Sequence, residues 1–400
     1  GGTAQPEDWT LTATGYNPQN PQAGIYALSE SGGPEGYEQT SLTCDNVVGP
    51  VTEVTLNPGE NVTCTFVNDD IAPTLTIIKN VMNDDGGSAG ATDFGIGTDA
   101  GELNFDSGKG TNPTVYTAAT LMINANNAEK SEYSLFESDL PGYIEGRWSC
   151  SNGDGGDYNA AVVTLLPGEE VTCEITNDDV APGLSIVKRV VNENGGTAVL
   201  ADFNIATDAG TLVFDQGVTN GQTTTYTAQT LTDIIPNQSY SLSESGAPGY
   251  IAGDWICSNG NGGTYDNATV AVSLGDTVIC EIVNDDIAPK LTLNKIIVND
   301  NGGTALESDW ILRAEGPTPI EGAGGPSSSD VQSTDIFSAG TYTLSESGPG
   351  GYRASAWSCD GGTQDGNQIT LDLDQTAICT ITNDDLNMGP LIFSDGFESD

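Results

Sequence analysis

The chain has 400 residues, which is more than one ordinary hydrophobic core organises and suits several domains of about 100 residues each. It carries 57 acidic and 10 basic residues, and the resulting net charge of −47 disfavours binding to nucleic acid or anionic lipid. Histidine, the commonest general base, is absent, so we expect no enzymatic turnover.

The composition predicts an all-β fold. The 51 glycines and 19 prolines indicate short strands joined by tight turns, and no sustained helical period is present. No apolar run is long enough to cross a bilayer, so we expect no membrane insertion. There is also no signal peptide, which makes this a mature or trimmed form if the protein is exported.

A repeated unit accounts for nearly the whole chain. The run "YALSESGGPEGY" recurs as "YSLFESDLPGY", "YSLSESGAPGY" and "YTLSESGPGGY", and "VTCTFVNDDIAP" recurs as "VTCEITNDDVAP", "VICEIVNDDIAP" and "AICTITNDDL". Apolar and polar residues alternate between Gly, Pro and Asn turns, which predicts a tandem array of four Ig-like β-sandwich domains. The predicted domains are residues 1–70, 71–179, 180–286 and 287–385, followed by a tail at 386–400.

The first repeat begins "GGTAQPEDW", whereas the fourth has "LTLNKIIVNDNGGTALESDW" at the corresponding place. We therefore expect domain 1–70 to lack its first strand, together with the lysine of that strand. It retains Glu30 and Asn68. A sandwich without an edge strand exposes an apolar groove and unpaired backbone groups, which predicts strand addition.

Repeats two to four each direct three polar residues toward an apolar core. In "LSIVK", Leu184, Ile186 and Lys188 alternate and share one face of an extended strand. Glu244 and Asn284 lie in the same way at the ends of apolar strand faces. The three sets are Lys79, Glu137 and Asn177; Lys188, Glu244 and Asn284; and Lys295, Glu346 and Asn383.

The cysteines occur as one pair in each repeat. This regularity predicts four intradomain disulfides and an oxidising, extracytoplasmic location, whereas eight reduced and buried thiols are the alternative. The predicted pairs are Cys44 with Cys64, Cys150 with Cys173, Cys257 with Cys280, and Cys359 with Cys379.

Acidic loops next to the joints between repeats suggest a metal site. Asp84 and Asp85 lie in "VMNDDGGS", and Asp178 and Asp179 lie in the joint "NDDVAP". Oxygen ligands at this density suit Ca²⁺, although no loop fits an EF-hand and turns require the same residues. Apart from Ca²⁺, we expect no cofactor.

The tail "LNMGPLIFSDGFESD" aligns loosely with the joint and first strand of a fifth repeat. Leu391, Ile392 and Phe393 are therefore a candidate donor strand for the first repeat of another copy, which would polymerise the chain head to tail. The tail contains no lysine, so this junction is expected to be non-covalent. A longer chain upstream, or a disordered or processed terminus, would explain the same pattern.

In sum, the pattern is a first strand with lysine, an "L-x-E-x-x-x-P-x-G-Y" strand and turn, and a last strand ending in asparagine. It resembles the Cna-B-like (SpaA-type, prealbumin-like) domains of bacterial surface proteins and pilins. The resemblance implies an intramolecular Lys–Asn isopeptide bond in each of repeats two to four, assisted by the glutamate. A buried Lys–Glu ion pair, or a lysine that reaches water from the strand end, remains the alternative.

We therefore expect a structural subunit of an extracellular bacterial fibre or surface stalk, with copies of itself as partners. The alternative is an adhesin whose repeats are spacers and whose ligand is a host or matrix molecule. No sortase motif of the "LPxTG" kind is present.

Overall fold

The structure is a computed structural model that describes residues 2–123, 131–325, 331–387 and 389. Their regular structure is β-strand, apart from short 3-10 helices at Pro6–Asp8, Ala91–Phe94, Leu200–Asp202 and Glu307–Asp309. In this part of the chain, no helix has both the length and the apolar character needed to span a membrane. The predicted all-β tandem array is confirmed.

Contacts divide the chain into two compact units. The first comprises Gly1–Pro182 with Ser273–Asp276, and the second comprises Gly183–Val272 with Thr277–Asp400. Repeats 1 and 2 lie in the first unit, and repeat 4 and most of repeat 3 lie in the second.

Repeat 1 contains two separate small sheets. Strands β1, β2 and β4 form one sheet in that order, and β3 pairs with β5 in the other. Within the described residues, no strand pairs with the second edge of β5. The strands are β1 (Trp9–Ala13), β2 (Gly24–Gly32), β3 (Tyr37–Cys44), β4 (Glu53–Leu56) and β5 (Cys64–Asp70).

Repeat 2 joins its first strand, β6, to its last strand, β15. The two run parallel, with Thr74 opposite Glu170 and Met82 opposite Asp178. The other strands continue the sheet on both sides of this pair. The strands are β6 (Thr74–Met82), β7 (Gly97–Thr98), β8 (Thr114–Thr117), β9 (Leu121–Met122), β10 (Glu132–Phe136), β11 (Tyr143–Glu145), β12 (Arg147–Cys150), β13 (Gly155–Asp157), β14 (Ala161–Thr164) and β15 (Glu170–Asp179).

Repeat 3 has the same arrangement, with its first strand β16 parallel to its last strand β25. The strands are β16 (Gly183–Val191), β17 (Asn204–Thr207), β18 (Val218–Asn220), β19 (Thr223–Thr227), β20 (Ser239–Ser245), β21 (Tyr250–Ala252), β22 (Trp255–Cys257), β23 (Gly262–Thr264), β24 (Asn267–Ala271) and β25 (Thr277–Asp286).

Repeat 4 also pairs its first strand β26 with its last strand β34 in parallel, and β27–β29 with β32 and β33 form a separate five-stranded sheet. The strands are β26 (Lys290–Val298), β27 (Ile311–Glu315), β28 (Ile320–Ala323), β29 (Gly340–Ser347), β30 (Tyr352–Ala354), β31 (Ser358–Asp360), β32 (Thr363–Asp365), β33 (Gln368–Leu371) and β34 (Thr376–Asp385).

The cores follow from the alternation of the strands. In repeat 2, Leu75 and Ile77 of β6 and Cys173 and Ile175 of β15 are fully buried, while the residues between them face outward. The core of repeat 1 is far smaller: of the residues that the structure describes, its cluster contains three buried side chains, against 14 in repeat 2.

Candidate functional site

The strand pattern places a lysine inside each of repeats 2 to 4. Lys79 follows Leu75 and Ile77 on the inward face of β6, lies opposite Ile175 of β15 and is fully buried. Lys188 is also fully buried, and Lys295 is 2% exposed. These lysines do not reach water.

In repeat 2 the three side chains form a closed set of contacts. The Nζ of Lys79 lies 2.7 Å from Oε2 of Glu137, and it also donates a hydrogen bond to Oδ1 of Asn177. The Nδ2 of Asn177 in turn donates to Oε1 of Glu137. The amine therefore lies against the carboxamide, and the carboxyl group touches both partners.

Repeats 3 and 4 bring the corresponding residues together. Lys188 Nζ lies 2.7 Å from Oε1 of Glu244 and donates to Oδ1 of Asn284. The Nδ2 of Asn284 is buried and finds no acceptor among the described residues.

In repeat 4, Lys295 Nζ donates to both Glu346 and Asn383. The Glu346 side chain is 11% exposed, so this site is the least enclosed of the three.

Burial changes the protonation of the lysines. It lowers the pKa of Lys79 from 10.5 to about 8, although Glu137 favours the charged form. The pKa of Lys188 falls to about 8 for the same reason, with Glu244 opposing the fall. Burial also lowers the pKa of Lys295. Each amine is thus more often neutral and nucleophilic at neutral pH than a lysine in water.

An aromatic ring covers each lysine and was not predicted from the sequence. The Nζ atoms of Lys79, Lys188 and Lys295 lie 3.9, 4.2 and 4.8 Å from the ring centres of Phe94, Phe203 and Trp310, respectively. A signal was available, because each ring follows an aspartate and stands 15 residues after its lysine.

The four predicted disulfides are confirmed, and within the described residues no cysteine is free. In repeat 2, Cys150 of β12 lies directly opposite Cys173 of β15. The disulfide therefore connects the last strand to its antiparallel neighbour, whereas the lysine contacts connect the last strand to the first.

The second aspartate of each "NDD" motif binds the backbone of a loop. Asp286 accepts hydrogen bonds from the backbone N–H groups of Glu193, Asn194 and Gly196 in repeat 3. Asp179 binds those of Asp85 and Gly87, and Asp385 binds those of Asn301 and Gly303. This contact was not predicted from the sequence.

The carboxylates of Asp84, Asp85 and Asp179 lie within 4.8 Å of one another, and Asp178 does not belong to this group. Because Asp179 already accepts backbone hydrogen bonds, its oxygens are engaged without an ion. Calcium binding stays a prediction. Leu391, Ile392 and Phe393 lie outside the described residues.

Sequence comparison shows which family this architecture represents. Residues 1–66, 70–175, 179–282 and 286–381 each match the prealbumin-like fold domain of the SpaA type. The chain therefore belongs to the family of SpaA-type prealbumin-like domains, and it contains four tandem copies. A comparison with curated protein sequences gives no match.

Similar solved structures include a major pilin and a pilus adhesin. The Bacillus anthracis TIE protein is 14% identical with a TM-score of 0.33, and the match covers 96% of this chain and 75% of that one. The major pilin T-13 of Streptococcus pyogenes is 14% identical with a TM-score of 0.23, covering 53% and 97%. The pilus adhesin SpaC of Lactobacillus rhamnosus GG is 14% identical with a TM-score of 0.25, covering 83% of this chain and 46% of that one.

Proposed function

We propose that the chain is a structural subunit of an extracellular fibre or surface stalk, in which Lys–Asn isopeptide bonds close repeats 2 to 4. The observation that carries this proposal is the set of buried contacts among lysine, glutamate and asparagine, present in three repeats. The bonds would join Lys79 to Asn177, Lys188 to Asn284, and Lys295 to Asn383.

The reaction needs only groups that are already in contact. The neutral amine of Lys79 attacks Cγ of Asn177, and the new Nζ–Cγ bond replaces the Cγ–Nδ2 bond. The carboxyl group of Glu137 contacts both nitrogen atoms, so it carries the amine's proton to the departing nitrogen, which leaves as ammonia. The reaction occurs once in each repeat, so it is a maturation step.

The covalent bond also relieves a cost of burial. A buried ammonium and carboxylate lose their hydration, and such a pair is a weak stabiliser. In repeat 3, the Nδ2 of Asn284 is a buried donor with no acceptor in the described part of the chain. Release of ammonia removes that donor and replaces the charged amine with an amide.

The position of the bond suits a chain under tension. The first and last strands of a repeat carry its two connections to the neighbouring repeats, so pulling on the chain loads these two strands. A bond between them lets the load pass from one joint to the next without extending the repeat. The joint residue Ile71 supports this role, because it exchanges backbone hydrogen bonds with Gly36 and Gly168 of the repeats on either side.

The disulfides support an oxidising location outside the cytoplasm or at the cell surface. Head-to-tail assembly through Leu391, Ile392 and Phe393 remains a prediction, as does the alternative role of an adhesin. Negative-stain electron microscopy of the chain, with and without residues 386–400, tests assembly. Filaments that require the tail would support it, and single particles in both samples would contradict it.

Single-molecule force spectroscopy of the full chain, under reducing conditions, tests the mechanical role. The predicted bonds span 98, 96 and 88 residues, and each unlinked repeat would release roughly 300 Å of chain when it unfolds. We expect none of these extensions. The matched control carries Asn177→Ala, Asn284→Ala and Asn383→Ala and should show all three. The same three extensions in the unaltered chain would contradict the proposal.

A further inference from the structure

One side of the sheet in repeat 3 presents aliphatic side chains to solvent. Ile279 of the last strand β25 is 48% exposed, and Ile251 of β21 and Ile256 of β22 are 63% and 72% exposed. Val218 of β18 is 69% exposed. Single exposed aliphatic residues are ordinary, but a contiguous group of them marks a surface that binds something.

The strand pairing brings these side chains together, because directly opposite residues of neighbouring strands point to the same side of a sheet. Ile279 precedes Glu281 by two residues on β25 and shares its side. Together these residues form what we call the outer face of repeat 3. The pairs that define it are Ile251 with Asp285, Ile256 with Glu281, Val187 with Glu281, Arg189 with Val283, Arg189 with Thr225, and Thr225 with Val218.

The fold does not require the aliphatic residues of the outer face, because the same positions are mostly polar in the neighbouring repeats. The adjacent cysteine or asparagine of each repeat fixes the correspondence. Repeat 3 has three aliphatic residues where repeat 2 has none and repeat 4 has one. The positions of Ile256, Ile279 and Val283 hold Ser149, Thr172 and Thr176 in repeat 2, and Ser358, Ile378 and Thr382 in repeat 4.

The charges of the outer face also differ from those of repeat 2. The Nε of Arg189 lies 3.1 Å from Oε2 of Glu281, so a positive and a negative group stand side by side near the centre of the face. Repeat 2 has Asn80 and Glu174 at these two positions. On a chain with a net charge of −47, an aliphatic face with a paired positive charge is a place where another acidic chain is repelled least.

We propose that the outer face of repeat 3 binds the same face of a second copy of this chain, in a twofold-symmetric contact. A twofold rotation sets the face against itself, so Arg189 of each copy approaches Glu281 of the other. Ile251, Ile256 and Ile279 then lose their exposure to water. The inference does not depend on the isopeptide bonds, and it adds a lateral contact between subunits to the proposed function.

A second copy fits this face better than a basic partner does. The acidic residues of the chain would attract a basic protein without help, and Arg189 would repel it at the centre of the contact. In a contact between two copies the same arginine is favourable, since it supplies the positive charge that faces Glu281. The arginine therefore favours self-recognition.

The outer face has the size of a weak dimer interface. Strands β22, β25, β16, β19 and β18 lie side by side. At a spacing of about 4.8 Å, and with about 20 Å of strand between Ile279 and Asp285, they present roughly 500 Å² in each copy. Two copies would bury roughly 1,000 Å², which is typical of a transient contact. Many such contacts in parallel would strengthen one another along two adjacent fibres.

Sedimentation velocity of the 400-residue chain over a concentration series tests this contact. At about 0.15 M salt, which screens the repulsion between the two chains beyond about 8 Å, we expect a reversible dimer. A twofold contact is closed, so the mass should level off at two chains, whereas head-to-tail assembly continues to grow. Monomers at every concentration up to about 1 mM would overturn the proposal and leave the face to a partner of another sequence.

Ile256→Ser combined with Ile279→Thr tests the aliphatic part of the contact. These are the residues that repeat 2 has at the same positions, so the repeat should still fold. The dimer should weaken by about a hundredfold, because each change removes apolar area from both copies. The matched control is Ile235→Ser, since Ile235 is 60% exposed but lies outside the strands of repeat 3. An unchanged dimer in the double variant, or an equal loss in the control, would contradict the assignment.

Exchange of the charged pair tests the twofold arrangement. One chain carries Arg189→Glu and another carries Glu281→Arg, so each variant sets like charges against each other and should stay monomeric alone. An equimolar mixture restores opposite charges across the contact and should form the dimer. A mixture that stays monomeric, while the unaltered chain dimerises, would contradict the pairing of Arg189 with Glu281. Loss of ammonia in repeats 2 to 4 is measured separately, so failure of the dimer leaves the proposed isopeptide bonds standing.

Discussion

Each of the three sites has a lysine whose charge is costly to bury. Lys79 has no exposure to water, and its counter-charge comes from Glu137 at 2.7 Å. Burial still outweighs that attraction, because it lowers the lysine's pKa to about 8. The same residue is therefore a poor source of stability as an ion and a good nucleophile as an amine, which favours the covalent interpretation over a permanent ion pair.

This protonation has a measurable consequence in a variant that cannot form the bond. In Asn177→Ala, Lys79 stays an amine, and its pKa is lower in the folded state than the unfolded value of 10.5. The unfolded state then binds more protons between pH 8 and 10.5, so the free energy of unfolding rises with pH across that window. A fall from 10.5 to about 8 corresponds to a gain of roughly 3 kcal/mol.

Urea unfolding at several pH values measures this gain. The matched reference is Asn177→Ala with Lys79→Met, which contains every other titrating group. The difference between the two variants should increase from pH 8 to 10.5 and be flat below pH 7. A flat difference throughout would show that the lysine keeps its ordinary pKa in the folded chain.

In repeat 3, hydrogen bonds to Asp286 hold the C-terminal end of the first strand, β16, in place. The loop that leaves β16 binds Asp286 of β25 through three backbone N–H groups, and Tyr250 binds the same loop at Asn192 and Ala198. These contacts hold the C-terminal end of the lysine strand beside the last strand. They fix the register in which lysine and asparagine meet.

Replacing Asp286 with asparagine should weaken this loop. The carboxylate accepts charge-assisted hydrogen bonds, and their loss should lower the free energy of unfolding by about 2 kcal/mol. Hydrogen exchange of residues 192–198 and urea unfolding give the local and global effects.

Asp285→Asn is the matched control on the adjacent residue. Burial, followed by the negative charges of Glu193 and Asp286, raises the pKa of Asp285, and its Oδ1 is buried without a hydrogen-bond partner in the described residues. Its neutralisation should leave stability unchanged or slightly improved. Equal losses in the two variants would mean that the hydrogen bonds of Asp286 are not the cause.

Over the whole molecule, the repeats differ in the number of covalent cross-links that stabilise them. Repeats 2 to 4 have a disulfide and a proposed isopeptide bond each, whereas repeat 1 has a disulfide and a small core. The Cys44–Cys64 bond closes a separation of 20 residues, which corresponds to about 3 kcal/mol of stabilisation. For a repeat with so few buried side chains, this is a large share of its stability.

Reduction should therefore unfold repeat 1 before the others. Limited proteolysis with and without reductant, followed by mass mapping, should place the new cleavage sites within residues 1–70. Cys44→Ala with Cys64→Ala should reproduce the effect without reductant. Cleavage that begins in repeats 2 to 4 would contradict the predicted order of unfolding.

Much of this structure could be predicted from the sequence, because alternation along a strand determines which residues face inward. That rule, combined with the repeat, placed Lys188, Glu244 and Asn284 in one core. The parallel pairing of first and last strands was not predicted. Alternation shows which residues of a strand share a face, but it does not show which strands pair with each other.

Two features of the sites could not be predicted from strand alternation: the hydrogen bonds from backbone N–H groups to the aspartate, and the aromatic ring over the lysine. Asp179 lies in an acidic segment that suggested calcium, yet its carboxylate binds backbone N–H groups, which every residue except proline supplies. Phe94 follows an aspartate at the end of the 3-10 helix Ala91–Phe94, where strand periodicity does not apply. Only comparison of the repeats at fixed spacing reveals it.

Intact-mass measurement of the reduced and denatured chain tests the central claim most directly, because each isopeptide bond removes one ammonia. We expect a mass below the sequence value by three ammonia molecules. Fragmentation should find Lys79 joined to Asn177, Lys188 to Asn284 and Lys295 to Asn383. Glu244→Ala should prevent the bond between Lys188 and Asn284, so the mass should be higher by one ammonia while the other two bonds stay intact. The full sequence mass in the unaltered chain would contradict the isopeptide bonds and leave three buried ion pairs in their place.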